Sequence, residues 1–340
     1  MKPRTLSPMT IPGVSSTSDV RRGNLKRLSM APMTLVCAAA LALGGCKVST
    51  LELLEGEFSE PLVQEYASGA QVTIDGLYGD IFVTRGESGV VSASFKPFNY
   101  HAYDESERAR RELRENIEFW NDADSAGDIS IGVSRHDATN GLGAHVTVEL
   151  PPEFDGTLLV SNEADGAINT GNIDVSFVGD STTLNVVNEG LENCNILRPE
   201  RDDDPVPPSK LTNTDVRCGA DITVRGVSDD VVVHSSSSFY SQVLVEIASV
   251  SASARGGSIS GDDASIEVRL PGGDDFVATA TAEDGAVIKN LDLPGSCEAL
   301  VDQPTSKEVQ CGEGGPRYDV VTSDADPDDD DSAFIRLAVQ

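Results

Sequence analysis

The feature that most limits what this 340-residue chain can fold into is a short strand-and-turn unit that recurs along it. Val146-Thr147-Val148-Glu149-Leu150-Pro151 reads against Ile266-Glu267-Val268-Arg269-Leu270-Pro271. Downstream of each, at nearly the same distance, stand Ala164-Asp165-Gly166-Ala167-Ile168 and Glu283-Asp284-Gly285-Ala286-Val287. A shorter unit, glycine followed within two or three residues by Ile or Val, occurs at Gly79-Asp80-Ile81, Gly171-Asn172-Ile173, Gly219-Ala220-Asp221-Ile222 and Gly257-Ser258-Ile259. Such repetition points to short strands separated by tight turns and stacked as rungs. Gly and Asn suit the corners because they take positive φ at little cost. One rung cannot bury its own apolar residues, so neighbours must stack to make a core. The expected fold class is all-β, with β-solenoid-like stacked rungs and one amphipathic helix. The spacing is irregular, which leaves a β-sandwich with long hairpins as the alternative.

Other strand signals are Gln71 to Ile74, Asp80 to Val83, Val90 to Phe95, Asp128 to Val133 and Ala144 to Leu150. They alternate, or are β-branched, between Gly, Asn and Asp. The expected helix runs from Asp104 to about Glu118. Asp104 and Glu107 are spaced as a capping box, and Ala109, Leu113 and Ile117 form a stripe at helical period. Glu107/Arg111, Arg111/Glu115 and Arg114/Glu118 would add i,i+4 charge pairs.

The first fifty residues bear on location. A positive cluster, Arg21, Arg22, Lys26 and Arg27, precedes an uncharged apolar run from Met30 to Leu43. These are the parts of a secretory signal, and the run is short for a spanning helix, which needs about 20 residues. Leu43-Gly44-Gly45-Cys46 resembles the lipobox of bacterial lipoproteins, which implies cleavage before Cys46 and lipid on that cysteine. Arg21 to Lys26 resembles a twin-arginine export signal, with Asn24 where that motif prefers Phe. The expected organisation is a signal peptide over 1–45, a lipidated tether over 46–61 (with Val48 to Pro61 leading into the domain) and a β-rich domain over 62–340. Lys47 stands where many inner-membrane lipoproteins carry Asp. The expected location is the cell envelope, at the outer membrane if the source is Gram-negative.

The chain carries 25 basic and 56 acidic residues. The leader holds six of the former and one of the latter, which leaves the remainder at −36. That charge disfavours nucleic acid as a partner, since phosphates require a basic surface, and it favours divalent cations and basic partners. High charge with low hydropathy can mean disorder, but 39% of residues are hydrophobic and they are periodically arranged. Four cysteines remain after Cys46: Cys194, Cys218, Cys297 and Cys311. An even number in an exported chain implies disulfides. Of three possible pairings, Cys194–Cys218 with Cys297–Cys311 needs the shortest loops. The first would close an insert over 191–218 that contains Arg201-Asp202-Asp203-Asp204-Pro205.

The order of strand, charged helix, strand pair, Val-Glu-Leu-Pro and then Gly-Ala-Ile and Gly-Asn-Ile rungs resembles the bacterial "putative adhesin" domain. The similarity spans roughly Gln71 to Leu291 and carries no invariant site motif. It implies a binding role in an exported or membrane-anchored protein and identifies no ligand.

No catalytic motif stands out. His101, His136, His145 and His234 are scattered without metal-ligand spacing, and His234-Ser235 beside Asp229 and Asp230 lacks a G-x-S-x-G elbow. Asp262 and Asp263 are the carboxylate pair a β-helical polysaccharide-cleaving enzyme could use, given separations of about 5 to 10 Å across one bond. Asp324, Asp326 and Asp328, in an acidic loop over 324–331, resemble the start of a calcium loop. The sixth position is Asp329 and the twelfth Ile335, so an EF-hand is excluded and a solvated acidic turn is favoured. Trp120 and Phe239-Tyr240 read as packing residues in preference to a sugar platform. The function expected is a non-enzymatic, adhesin-like binding or scaffold module with no cofactor besides the lipid. It would be held to a membrane and meet an envelope glycan or protein; the alternative is a carbohydrate-active enzyme using paired carboxylates.

Overall fold

The computed structural model describes residues 51–102, 106–136, 141–163, 171–179, 181–190, 192–197, 211–237, 240–289, 291, 293–324 and 333–340. All belong to the unit Thr50–Gln340; the leader and Cys46 lie outside them. The described chain is mostly β-strand with a single helix.

The strands are β1 (Leu51–Glu55), β2 (Leu62–Glu65), β3 (Gln71–Arg85) and β4 (Val90–Ala102), then helix α1 (Ser106–Glu115). There follow β5 (Ile117–Ala123), β6 (Ile129–Arg135), β7 (Leu142–Leu150), β8 (Thr157–Glu163), β9 (Ile173–Val175), β10 (Thr182–Asn188), β11 (Cys194–Ile196) and β12 (Leu211–Cys218). Next come β13 (Ile222–Ser235), β14 (Ser241–Ser249), β15 (Gly256–Asp262), β16 (Ala264–Leu270), β17 (Phe276–Ala282) and β18 (Val287–Ile288). The last four are β19 (Cys297–Gln303), β20 (Ser306–Cys311), β21 (Arg317–Ser323) and β22 (Phe334–Val339).

Most pairings are parallel and fall into two rows. One row runs β6, the start of β3, β8, β10, β12, the end of β13, β15, β21 and β17. The other runs β7, the end of β3, β9, β11, the start of β13, β14, β16, β22 and β18. Alternation at period two sends every second side chain inward, and register stacks them in columns. Ile131, Ile74, Val160, Val186, Val216, Val233, Ile259, Val320 and Ala280 form a column in the first row. Val146, Ile81, Ile173, Cys194, Ile222, Val243, Ile266, Ile335 and Ile288 form its counterpart in the second. Every member is buried.

Chain order and spatial order part company twice. From β7 the chain passes over β3 to reach β8, and from β16 it passes over β21 and β22 to reach β17. The two Leu-Pro repeats mark these two skips. Leu150-Pro151 leads into a turn where the Phe154 N–H donates to the Pro151 carbonyl, and Leu270-Pro271 into one where the Asp274 N–H donates to the Pro271 carbonyl. Of the segments downstream, Ala164 to Ile168 lies outside the described residues; in the other, Asp284 and Gly285 turn the corner with φ of 52° and 105°.

Antiparallel strands occupy the ends. β1 and β2 pair with β4, and β4 with β7. β5 pairs with β6, and the Asn121 side chain of β5 donates to the Leu62 carbonyl next to β4, which ties that end of the sheet together. At the other end β20 lies on β17 and β19 on β20.

Two expectations need correction. The segment 48–61 is not a plain tether from residue 51 onward: β1 pairs along β4, and the Gly56 and Ser59 N–H groups donate to the carbonyls of Pro97 and Phe95. The helix ends at Glu115 instead of Glu118, because Ile117 begins β5 opposite Arg135 and Phe119 stacks on Phe95 at 4.7 Å. Its i,i+4 ion pair is Arg108–Glu112 at 2.7 Å, and Glu118 faces His136 instead. Ala109 is buried as expected, whereas Asp104 lies outside the described residues.

Candidate functional site

The corners between the rows explain the glycine units. Ile81, Ile173 and Ile222 share one inward column, and the residue before each is Asp or Asn. The Asn172 N–H donates to Asp80 Oδ1 at 2.8 Å, and the Asn193 N–H to Asn172 Oδ1 at 3.2 Å. The Asp221 N–H donates to Asn193 Oδ1 at 3.2 Å, and the Gln242 N–H to Asp221 Oδ1 at 2.8 Å. Each side chain thus satisfies a corner N–H of the next tier, and at the part-buried Asp80 and Asn172 corners such a group costs free energy when left without a partner. The fourth unit differs: Gly257-Ser258-Ile259 opens β15 in the first row.

At the start of this series His145 Nδ1 lies 3.1 Å from both the Asp80 backbone nitrogen and Asp80 Oδ2. The hydrogen bond with His145 holds the half-buried Asp80 carboxyl below its usual range against the opposing effect of burial, and the Asn172 N–H helps. Burial, with Asp80 nearby, pushes the Glu192 carboxyl up. Lys96, hydrogen-bonded to Glu55 at 2.8 Å, lowers that carboxyl.

A second polar column lies inside the same corner. Asn162 and Asn188 donate to the carbonyls of Gly79 and Gly171. Cys218 takes the next place in that column and Ser235 the one after. Cys218 is bridged to Cys194, Cα to Cα 6.3 Å, and Cys297 to Cys311 across β19 and β20. These are the two local pairings. The first joins strands of adjacent tiers and closes the insert, whose residues 198–210 lie outside the described set.

Among the described residues, the outward face of the second row carries the longest run of linked ion pairs. Phe82, Asp174, Asn195, Thr223, Leu244, Glu267 and Arg336 form one outward column. Beside it the Arg225 guanidinium lies 3.9 Å from Glu246, and Glu246 lies 3.9 Å from Arg269. Arg269 then bonds Glu267 at 2.8 Å, and Glu267 faces Arg336 at 3.5 Å. Three guanidiniums alternate with two carboxylates on a chain whose net charge is −31. A cleft of about 270 Å³ opens next to this ladder, lined by Asn195, Asp221, Thr223, Arg225, Gln242 and Leu244. Glu267 and Arg269 sit in the Ile266 to Pro271 repeat, so their alternation was readable; which neighbours they would meet was not.

Other predicted residues fall apart. His234 Nδ1 is 3.0 Å from Ser260 Oγ, a residue the sequence reading passed over in favour of Ser235. Asp229 and Asp230 accept the N–H groups of Ser251 and Arg255 in a turn and do not orient His234. Asp262 and Asp263 are consecutive at the corner between β15 and β16, so they do not face each other across a groove. Trp120 lies against Gly132 and donates to Ser130 Oγ at 3.2 Å, a packing role. Tyr240 bonds Ser265 at 2.6 Å; Phe239 lies outside the described residues. Asp324 is buried at the end of β21, whereas Asp326 and Asp328 lie outside the described residues. Among the described residues no group of three or more His, Cys, Asp or Glu is placed to hold a metal ion.

No protein-family model matches the chain, and no curated protein is similar to it. The solved structures that match the chain include the two that follow. One is described as a "putative cell adhesion protein" from Clostridium sporogenes ATCC 15579, with 11% identity over 83% of this chain and 99% of that one, at a TM-score of 0.30. The other is described as a "putative adhesin" from Bacteroides fragilis NCTC 9343, with 9% identity over 86% of this chain and 99% of that one, at a TM-score of 0.26.

Proposed function

We propose that this chain is an envelope-anchored lipoprotein whose β-domain works as a non-enzymatic, adhesin-like binding or scaffold module. The observation that carries the reading is the outward face of the second row. Its charged side chains hold one another in register from the buried Arg225 to the exposed Arg336, and the part that reaches solvent, Arg269 and Arg336 with Glu267, makes a preorganised surface at low entropic cost to a partner. In-register columns support reading the whole as β-solenoid-like, a form that offers long binding surfaces. An anionic envelope glycan or an acidic protein segment suits the guanidiniums, since Arg recognises carboxylates in a bidentate way. The lipid on Cys46, argued from Leu43-Gly44-Gly45-Cys46, would hold this face near the membrane it serves.

The rival is a carbohydrate-active enzyme, which needs two carboxylates across one bond. The test is to present the domain from Val48 onward to envelope polysaccharides, peptidoglycan and whole cells, with and without calcium, while product release is followed. Saturable binding without turnover is expected. Cleavage over many turnovers, abolished by changing one or two carboxylates, would establish the enzyme instead. Cys46→Ser is expected to leave an uncleaved or soluble precursor. Unchanged acyl labelling and membrane fractionation would refute the anchor.

A further inference from the structure

We infer that the tier made by β21 and β22 is an exchangeable insert, and that a second copy of this chain can supply it. Consecutive elements are ordinarily neighbours in space, yet here the chain lays down β17 and β18 before the tier that separates them from β15 and β16. β21 pairs with β15 along Gly256 to Asp262 and with β17 along Val277 to Ala282. β22 pairs with β16 along Ile266 to Leu270 and with β18 at Val287 and Ile288. The tier therefore enters a slot bounded by strand edges on both sides, the geometry of strand addition.

The slot is specific for its own sequence. Tyr318, Val320, Thr322, Ile335 and Leu337 are buried in it. The Tyr318 hydroxyl reaches past β15 to donate to the Asp229 carbonyl at 2.7 Å, and Thr322 Oγ1 donates to the Ala264 carbonyl at 2.7 Å. A copy of this chain matches these positions one for one.

The way in and out is a glycine-rich hinge. Gly312-Glu313-Gly314-Gly315-Pro316 joins β20 to β21, with φ of 59° at Gly312 and 81° at Gly314. β21 and β22 move through that hinge, while the disulfide Cys297–Cys311 keeps β19 and β20 together on β17. Exchange of an identical element about a hinge is a low-cost route to association, and a shortened hinge favours it.

The experiment uses two full-length preparations of different mass, one carrying Ser258→Cys and the other Asp319→Cys. These positions are register partners on β15 and β21. The preparations are unfolded and refolded together with the native disulfides intact, then oxidised mildly, and interchain 258–319 bonds are read by non-reducing peptide mapping. Mixed dimers joined at 258–319 are expected. Deletion of Glu313 and Gly314 should raise their yield at least threefold, and dilution before refolding should lower it. If the deletion variant fails to fold, the pair with the intact hinge still decides. Monomers alone, or association without 258–319 bonds, such as pairing through β19 edges, would overturn the inference.

Discussion

The backbone N–H of Asn172 donates to the Asp80 carboxylate at 2.8 Å although the two residues are 92 apart in the chain. The relation repeats from tier to tier through Asn193, Asp221 and Gln242. The corner is thus fixed by acceptors, which gives a direct prediction. Asp221→Ala removes the acceptor for the Gln242 N–H in a solvent-exposed corner and should cost about 0.5–1 kcal/mol in urea unfolding. Asp221→Asn keeps an acceptor and should cost less than half of that. Equal losses would mean that charge, and not the acceptor, matters there.

Acid should act through the same corner. Asp80 is held below its usual range in the folded state, so its contribution is complete above the unfolded pKa of about 4 and is lost as pH falls from there through the lower folded value. Asp80→Asn should flatten the decline in stability below about pH 4. Glu192 has the opposite sign: its folded carboxyl is pushed up, so its charge costs stability as pH rises. Glu192→Gln should therefore raise the melting temperature at pH 7 and leave it unchanged at low pH. A loss at pH 7 would contradict the burial argument.

Inward and outward positions on neighbouring strands should respond differently. Ile259 is fully buried between Val233 and Val320, and Ile259→Ala should cost about 2–5 kcal/mol. Val232, 38% exposed on the outer face, should tolerate Ser within about 0.5 kcal/mol. Chemical denaturation of the two variants checks the register of the first row.

Removal of the bridge between Cys194 and Cys218, 24 residues apart, should cost roughly 3 kcal/mol. Non-reducing peptide mapping should find it intact together with Cys297–Cys311, and Cys194→Ser/Cys218→Ser should unfold at lower urea. Cross-pairing such as Cys194–Cys297 would refute the placement of Cys194 on β11 and Cys218 on β12 in adjacent tiers.

Much of this architecture could be read locally and some of it could not. The glycine units were legible because a corner is a local event, but the reason differs from the expected one: Gly79 and Gly257 do not take positive φ, and a Cβ on either would strike the backbone of Ala144 or of Val231. The Leu-Pro repeats were visible too, but their meaning, a passed-over tier, depends on which distant strand fills the gap. Parallel partners such as β16 and β22 are chosen by packing across long separations, so no window of sequence contains the choice. The stripe through Ile117 misled because Ala109, Leu113 and Ile117 fit helical period, while Phe119 and Trp120 just beyond favour the sheet. The ion-pair ladder shows the same limit. Glu267 and Arg269 are two residues apart, but Arg225 and Arg336 join them only through strand pairing.

The central claim is that the outward face of the second row binds and does not catalyse. Equilibrium binding of the domain from Val48 onward to isolated envelopes and peptidoglycan tests it most directly. Native protein is compared with an Arg269→Glu/Arg336→Glu variant while soluble products are counted. The account predicts saturable binding by the native protein, about tenfold weaker after the charge reversal, with fewer product molecules than protein molecules. Binding untouched by the reversal, or products accumulating far beyond the amount of protein, would contradict it.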